Sequence, residues 1–211
     1  MRAAGRTYGG LTGDERSAIR RTALLEAGLD LFSEGGARAV TKRAVCSRAR
    51  LNDRYFDEHF RDPSELLEAV TQEQTAQVID VVVASAEAGT DLSEQATNLV
   101  RSALEFVTAD PRRGALLLDA HATDVLQRMK RESAAAIAKV LTALFHDADA
   151  ASSRSAAETE VVAYALVSGA MELIAGWLRG DLPITAEQCA DLVAELLLSV
   201  PRIPSTTSRG G

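Results

Sequence analysis

Arg50, Asn52, Arg54 and Tyr55 stand within six residues of one another, and their chemistry is that of anion and base-edge recognition. An arginine guanidinium can donate twice to one guanine or to a phosphate, and Asn52 and the Tyr55 hydroxyl can reach a phosphate or a base edge. The residues that could do catalysis are sparser. The histidines are His59, His121 and His146, and the cysteines are Cys46 and Cys189. Asp119, His121 and Asp124 lie close in sequence, but no further His or Cys completes a metal site, so this group reads as a solvated loop between helices. Two cysteines are too few for a disulfide framework or a thiolate metal centre. No phosphate-binding loop, dinucleotide fingerprint or nucleophile elbow occurs. The chain is therefore not expected to be an enzyme, and no cofactor or metal is expected.

Short helices must position the donor cluster. Thr41 can cap a helix running through Arg48, with Ala44 and Val45 turned inward. A tight turn over 49–52 leads to a second short helix from Asn52 or Asp53 through Phe60. Two short helices around such a turn suit a helix-turn-helix, whose second helix enters the major groove. A longer helix is expected ahead of them from near Asp14, with Leu24, Ala27, Gly28, Leu31 and Phe32 on one face. Gly35 and Gly36 should stop it. Residues 1–13 read as a flexible basic arm.

The remaining pattern is helical. With 37 Ala, 5 Pro and 4% aromatic residues, the composition is that of a helix former, and no strand or internal repeat is evident. Asp62, Pro63 and Glu65 announce a helix into the eighties. Asp91 or Ser93 can cap a helix carrying Ala96, Leu99, Val100, Ala103, Leu104 and Val107, which ends before Pro111. A short segment over 112–119 and a longer one from Asp124 to Phe145 follow. After a polar loop over 146–154, helices are expected near 155–179 and 185–199, the last with Thr185 and Gln188 as its reciprocal cap. The Ser, Thr, Gly and Pro tail over 201–211 is expected to be disordered.

Charge is unevenly placed. The net charge is -7. Yet residues 1–60 hold 11 Lys or Arg against 8 Asp or Glu, while residues 61–211 hold 12 against 22. A basic end could face a phosphate backbone that an acidic body would repel. No uninterrupted apolar run reaches the roughly 18 residues of a membrane span. The N-terminus lacks an apolar signal core, so a cytoplasmic location without membrane association is expected.

Two stripes are hard for one chain to bury fully, the alternative being that both are core of the single chain. Val162, Leu166, Gly169, Leu173 and Trp177 follow steps of four, three, four and four, with Ala165 and Gly169 permitting close approach. Cys189, Leu192, Val193, Leu196 and Leu197 form the second.

The run 24–32 (LLEAGLDLF), then Gly36, Thr41, Val45 and Ala49, then Tyr55, Phe56, His59 and Phe60, then Glu65, Leu66, Leu67 and Val70, resembles the TetR family over about residues 20–70. The resemblance implies an all-α, TetR-like fold. A three-helix DNA-binding domain over 1–60, including the basic arm, would precede a helical ligand-binding and dimerisation body over 61–200 and a tail. It implies DNA contacts from Thr41, Arg43, Arg50, Asn52, Asp53, Arg54, Tyr55 and His59, with Phe32 and Phe60 in the core. His59 has a structural alternative, packing and capping the small domain. The implied partners are a double-stranded operator, a small molecule of unknown identity and a second copy of the chain. Helical phase would place Phe106, Leu117, His121, Leu126, Tyr164 and Met171 near the ligand, in a largely apolar cavity between residues 95 and 175 of roughly 300 Å³ or more. In the family two helices from each chain form a four-helix interface, which here would use Val162, Leu166, Gly169, Leu173, Trp177, Leu192 and Leu196. The implied function is a ligand-responsive dimeric repressor on a palindromic site. The alternative is a family-like small-molecule binder whose specific DNA binding is weakened or lost.

Two departures bear on that choice. Arg50 stands where the family has glycine, and a non-glycine residue in the left-handed region costs roughly 1–2 kcal/mol. Asp57 stands where the family has a phosphate-contacting tyrosine. Either an arginine ties up Asp57, or docking is unusual, or DNA binding has weakened.

Overall fold

The computed structural model describes residues 12–86, 89–119, 124–144 and 155–199. The basic arm, the loop over 146–154 and the tail therefore lie wholly or almost wholly outside the described residues, as do His121 and His146. The chain divides into two compact units between Thr71 and Gln72.

The first unit contains α1 (Gly13–Ala39), α2 (Lys42–Ala49), α3 (Asp53–Asp57) and the start of α4 (Pro63–Ala86). Thr12 caps α1, accepting from the Glu15 N–H while the Glu15 carboxylate takes the Thr12 N–H. Gly35 and Gly36 leave the helical conformation, as expected of residues that stop a helix. Gly36 sits at φ 65°, and a separate short turn beyond the break carries the α1 span on to Ala39. Leu24, Leu29, Phe32, Val45, Phe56 and Leu66 are almost wholly buried, so this small unit is knit by side chains from all four helices. Gly28 is required at the crossing of α1 with α4: a Cβ there would lie 2.4 Å from Leu66 Cδ2.

Asp62 accepts from the N–H groups of Ser64 and Glu65, fixing the start of α4. Glu65 reaches one residue beyond the expected cap, to the N–H of Arg61. This contact and the Arg61 guanidinium hold the Glu65 carboxyl below its ordinary pKa.

The second unit is built from the rest of α4 with α5 (Leu92–Ala109), α6 (Pro111–Leu118), α7 (Asp124–Leu144), α8 (Ala156–Leu178) and α9 (Ala186–Leu198). Asp91 caps α5, Asp110 caps α6, and Thr185 and Gln188 form the reciprocal cap of α9. Its core is rich in small side chains, including Ala96, Ala134, Ala138, Ala163, Ala170, Ala190 and Ala194. These let α5 pack on α9, and α8 on both α7 and α9. Helix α8 is long and apolar enough to cross a membrane by length and composition, but Ala163, Val167, Ala170 and Ala175 on it are buried in the chain's own fold.

Candidate functional site

The helix-turn-helix is made by three local devices. Thr41 Oγ1 accepts from the Ala44 N–H at 3.2 Å and starts α2. At the other end Arg50 adopts φ 56° and ψ 40°, the left-handed conformation. Its N–H goes back to Ser47 O at 3.2 Å, and the Leu51 N–H goes to Cys46 O at 2.9 Å. These are the paired bonds of a Schellman stop, made here without glycine. Asn52 Oδ1 then accepts from the Tyr55 N–H and starts α3. Helix α3 ends at Asp57, three residues sooner than the expected Phe60. The next bond tightens, with the His59 N–H donating to Phe56 O at 2.9 Å. This turn brings the Phe60 ring to 5.8 Å from the Phe56 ring, both buried.

The charges on this unit are largely satisfied internally. Lys42 Nζ donates to both carboxylate oxygens of Asp57, at 2.6 and 2.8 Å. That hydrogen bond raises the lysine pKa and keeps it cationic. The partner of Asp57 is thus a lysine of α2, where an arginine was one expectation. Arg54 Nε donates to Glu58 Oε1 at 3.1 Å, and Arg20 of α1 lies 3.8 Å from the other Glu58 oxygen. Arg48 holds Glu34 with two bonds and Asp30 with a longer one. Arg38, Arg43 and Arg50 are exposed cations without an ion-pair partner among the described residues.

Arg54 stands out from α3 with 84% of its side chain exposed. Asn52 and Asp53 are exposed beside it, while Tyr55 is half-buried under the Arg20 guanidinium, 4.5 Å from its ring centroid. His59 is half-buried with its ring against Phe60, and its Nε2 has no hydrogen-bond partner among the described residues. Burial, aided by the charge of Arg20, pulls its pKa down.

Residues 24–70 match the family model described as bacterial regulatory proteins, tetR family. Over those residues the chain is similar to the TetR family. The TetR-type fold extends beyond the matched residues. A putative TetR-family transcriptional regulator from Syntrophomonas wolfei superposes with a TM-score of 0.70 at 15% identity, covering 90% of this chain and 99% of that one. The fatty acid degradation regulator FadR from Bacillus halodurans gives 0.68 at 15% identity, covering 91% and 97%. FadR from Bacillus subtilis, solved in complex with stearoyl-CoA, gives 0.65 at 14% identity, covering 85% and 98%. At such identities the shared property is the fold. No curated protein sequence matches the chain.

In the TetR-type body a cavity of about 90 Å³ opens between α4, α5, α7, α8 and α9. Its lining is wholly apolar and includes Val78, Val82, Leu99, Ile137, Leu141, Met171, Ile174 and Val193. It is smaller than the roughly 300 Å³ expected. Of the residues singled out by helical phase, Met171 lines it. Tyr164 instead lines an open groove of about 390 Å³ between α7 and α8, with Lys130, Arg131 and Glu172. Phe106 is packed under the Arg113 guanidinium, 3.8 Å from its ring centroid, and Leu126 is buried on α7. Leu117 is half-buried on α6. The α4 residues Val78, Ile79 and Val82 carry no polar or catalytic mark in the sequence and were not foreseen as lining.

The two apolar stripes part company. Val162, Leu166, Leu173, Trp177 and Leu196 are half-buried, and Gly169 and Leu192 are exposed. Cys189, Val193 and Leu197, also on the second stripe, turn into the core of the unit. Among the described residues no group of three or more His, Cys, Asp or Glu could hold a metal ion.

Proposed function

We propose that this protein is a dimeric, ligand-responsive transcriptional repressor of the cytoplasm. The helix-turn-helix unit binds a palindromic operator, and a small molecule held in the body releases it. One observation carries the DNA-binding half of this reading. The acids Asp57 and Glu58, which would repel phosphate, are engaged by Lys42, Arg54 and Arg20, while Arg38, Arg43 and Arg50 have no ion-pair partner among the described residues. Cations free to displace counterions supply most of the affinity of a protein for duplex DNA. Thr41, Asn52 and Tyr55 would position the unit on phosphates, and Arg54 would read a base. The outward residues Val161, Val162, Leu166, Gly169 and Leu192 would meet a second copy about a two-fold axis, pairing two reading units on one site.

The wholly aliphatic cavity favours a ligand that inserts an apolar chain, and the stearoyl-CoA complex of the Bacillus subtilis regulator supports that class. Binding would enlarge the cavity and shift the population away from the operator-competent form. The exposed Asp53 in the first turn of α3 favours the second reading, a small-molecule binder with weakened DNA recognition.

The test begins with selection of genomic fragments on the purified chain at fixed salt. Titration of the selected duplex with stearoyl-CoA follows. Enrichment of an inverted repeat, released by the acyl-CoA, is the expected result. Enrichment of nothing above background refutes the first reading and leaves the second.

A further inference from the structure

Glu58 sits at the centre of a three-residue relay that runs from the first helix of the reading unit to the exposed Arg54. Its Oε1 takes the Nε–H of Arg54 at 3.1 Å. Its Oε2 faces Arg20 of α1 at 3.8 Å, and Arg20 is itself fixed over the Tyr55 ring at 4.5 Å. Exposure falls along the relay, with 84% of the Arg54 side chain exposed, 36% of Glu58 and 23% of Arg20. The inner end is therefore held by packing and the outer end projects into solvent. We propose that Glu58 is a positioning residue that sets Arg54 for end-on recognition of a guanine, at the expense of non-specific affinity for DNA. This rests on the DNA-binding reading above.

The chemistry of the guanidinium supports the assignment. An arginine has five N–H donors in a planar fork. When Nε is committed to a carboxylate, the plane of the group is fixed and its two terminal nitrogens still point away together. Those two nitrogens have the spacing of guanine O6 and N7. A free arginine on an exposed helix samples many rotamers and serves a phosphate equally well. One tied at Nε to the residue that closes its helix has lost part of that freedom before the duplex arrives, so less order is lost on binding. A carboxylate at the end of a reading helix would otherwise be a pure liability, because it repels the phosphates on either side. Its engagement with both Arg54 and Arg20 gives it a use that a neutral residue could not serve.

The experiment measures binding of the full chain to its selected duplex, to variants of that duplex changed one base pair at a time, and to an unrelated duplex, all at several salt concentrations. Arg54→Ala should abolish discrimination at one G·C pair in each half-site, a loss of about tenfold or more. Glu58→Gln should lose most of the discrimination at that same pair while affinity for the unrelated duplex rises. Glu58→Asp, which keeps the charge but shortens the reach, should lose the discrimination without that rise. A purely structural role for Glu58 predicts parallel loss of affinity for every duplex together with a lowered melting temperature, and that pattern overturns the proposal. Glu58→Gln with discrimination intact at every base pair also overturns it, and leaves the DNA-binding reading standing. A wild-type chain that prefers no duplex over the unrelated one overturns the DNA-binding reading itself, and the proposal with it.

Discussion

Replacing Arg50 by glycine should make the protein more stable and a poorer DNA binder at once. Arg50 holds φ 56° to close the Schellman stop of α2, and it is the one non-glycine residue with positive φ among those described. The left-handed region costs an L-residue roughly 1–2 kcal/mol. Glycine removes that cost but leaves the unfolded chain freer, which returns about 0.5–1 kcal/mol. The net expectation for Arg50→Gly is a gain of about 0.5–1 kcal/mol. In a unit the size of the first one this raises the midpoint of thermal unfolding by about 2–8 °C. The exposed guanidinium has no ion-pair partner among the described residues, so no pairing with them is lost. If it meets a phosphate, its removal lowers the slope of log affinity against log salt by about 0.9. Arg50→Ala separates the two effects, because alanine keeps the strain and loses the charge: affinity should fall as in the glycine variant, with no gain in stability. Circular dichroism melts and anisotropy titrations with duplex DNA at several salt concentrations make both measurements. A glycine variant that melts earlier than the wild type would show that the side chain stabilises the turn, and would refute the strain argument. Unchanged affinity and salt slope would remove Arg50 from the interface.

Four further outcomes are expected. Gly28→Ala puts a methyl group 2.4 Å from Leu66 Cδ2 in a fully buried contact. It should destabilise the first unit by about 1–3 kcal/mol, read as an earlier melt, and an unchanged melt would mean that α1 and α4 can separate freely. Asp57→Asn frees Lys42, so affinity for an unrelated duplex should rise and its salt dependence steepen; a loss of all binding would assign Asp57 a direct role. Gly169→Glu sets a carboxylate in the middle of the outward face of α8 and should yield monomer or aggregate by light scattering, whereas an unaltered dimer would place the interface elsewhere. Ala170→Val narrows the apolar cavity. The variant should retain operator binding and lose the response to stearoyl-CoA in the anisotropy titration, and a full response would move the ligand out of that cavity.

What could be read in the sequence was what is decided locally. Thr41, Asn52, Asp62, Asp91 and Thr185 each satisfy N–H groups two or three residues away, so residue type and spacing suffice to place those helix starts. Helix ends were harder. The break at Gly35 and Gly36 falls where the glycines announce it, but the short turn beyond it to Ala39 does not show in the sequence, and α3 closes early because Phe56 and Phe60 are drawn into one core. The partner of Asp57 lies fifteen residues away on another helix, so the angle of the turn decides whether Lys42 or an arginine reaches it. The cavity was least legible. Helical phase gives the inward face of each helix but not the helix opposite, so Met171 could be singled out while Val78 and Val82 of α4 could not. The stripe on α9 shows the same limit, since Cys189 and Val193 turn inward while Leu192, on the same helix, stays exposed.

The central claim is that the first unit reads duplex DNA. The most direct measurement is the ratio of affinities for the selected duplex and an unrelated duplex of the same length, at physiological salt. The account predicts a ratio of about 10³ or more, with an inverted repeat in the selected site and loss of the preference in Arg54→Ala. Equal affinity for both duplexes, at every salt concentration tried, would contradict it.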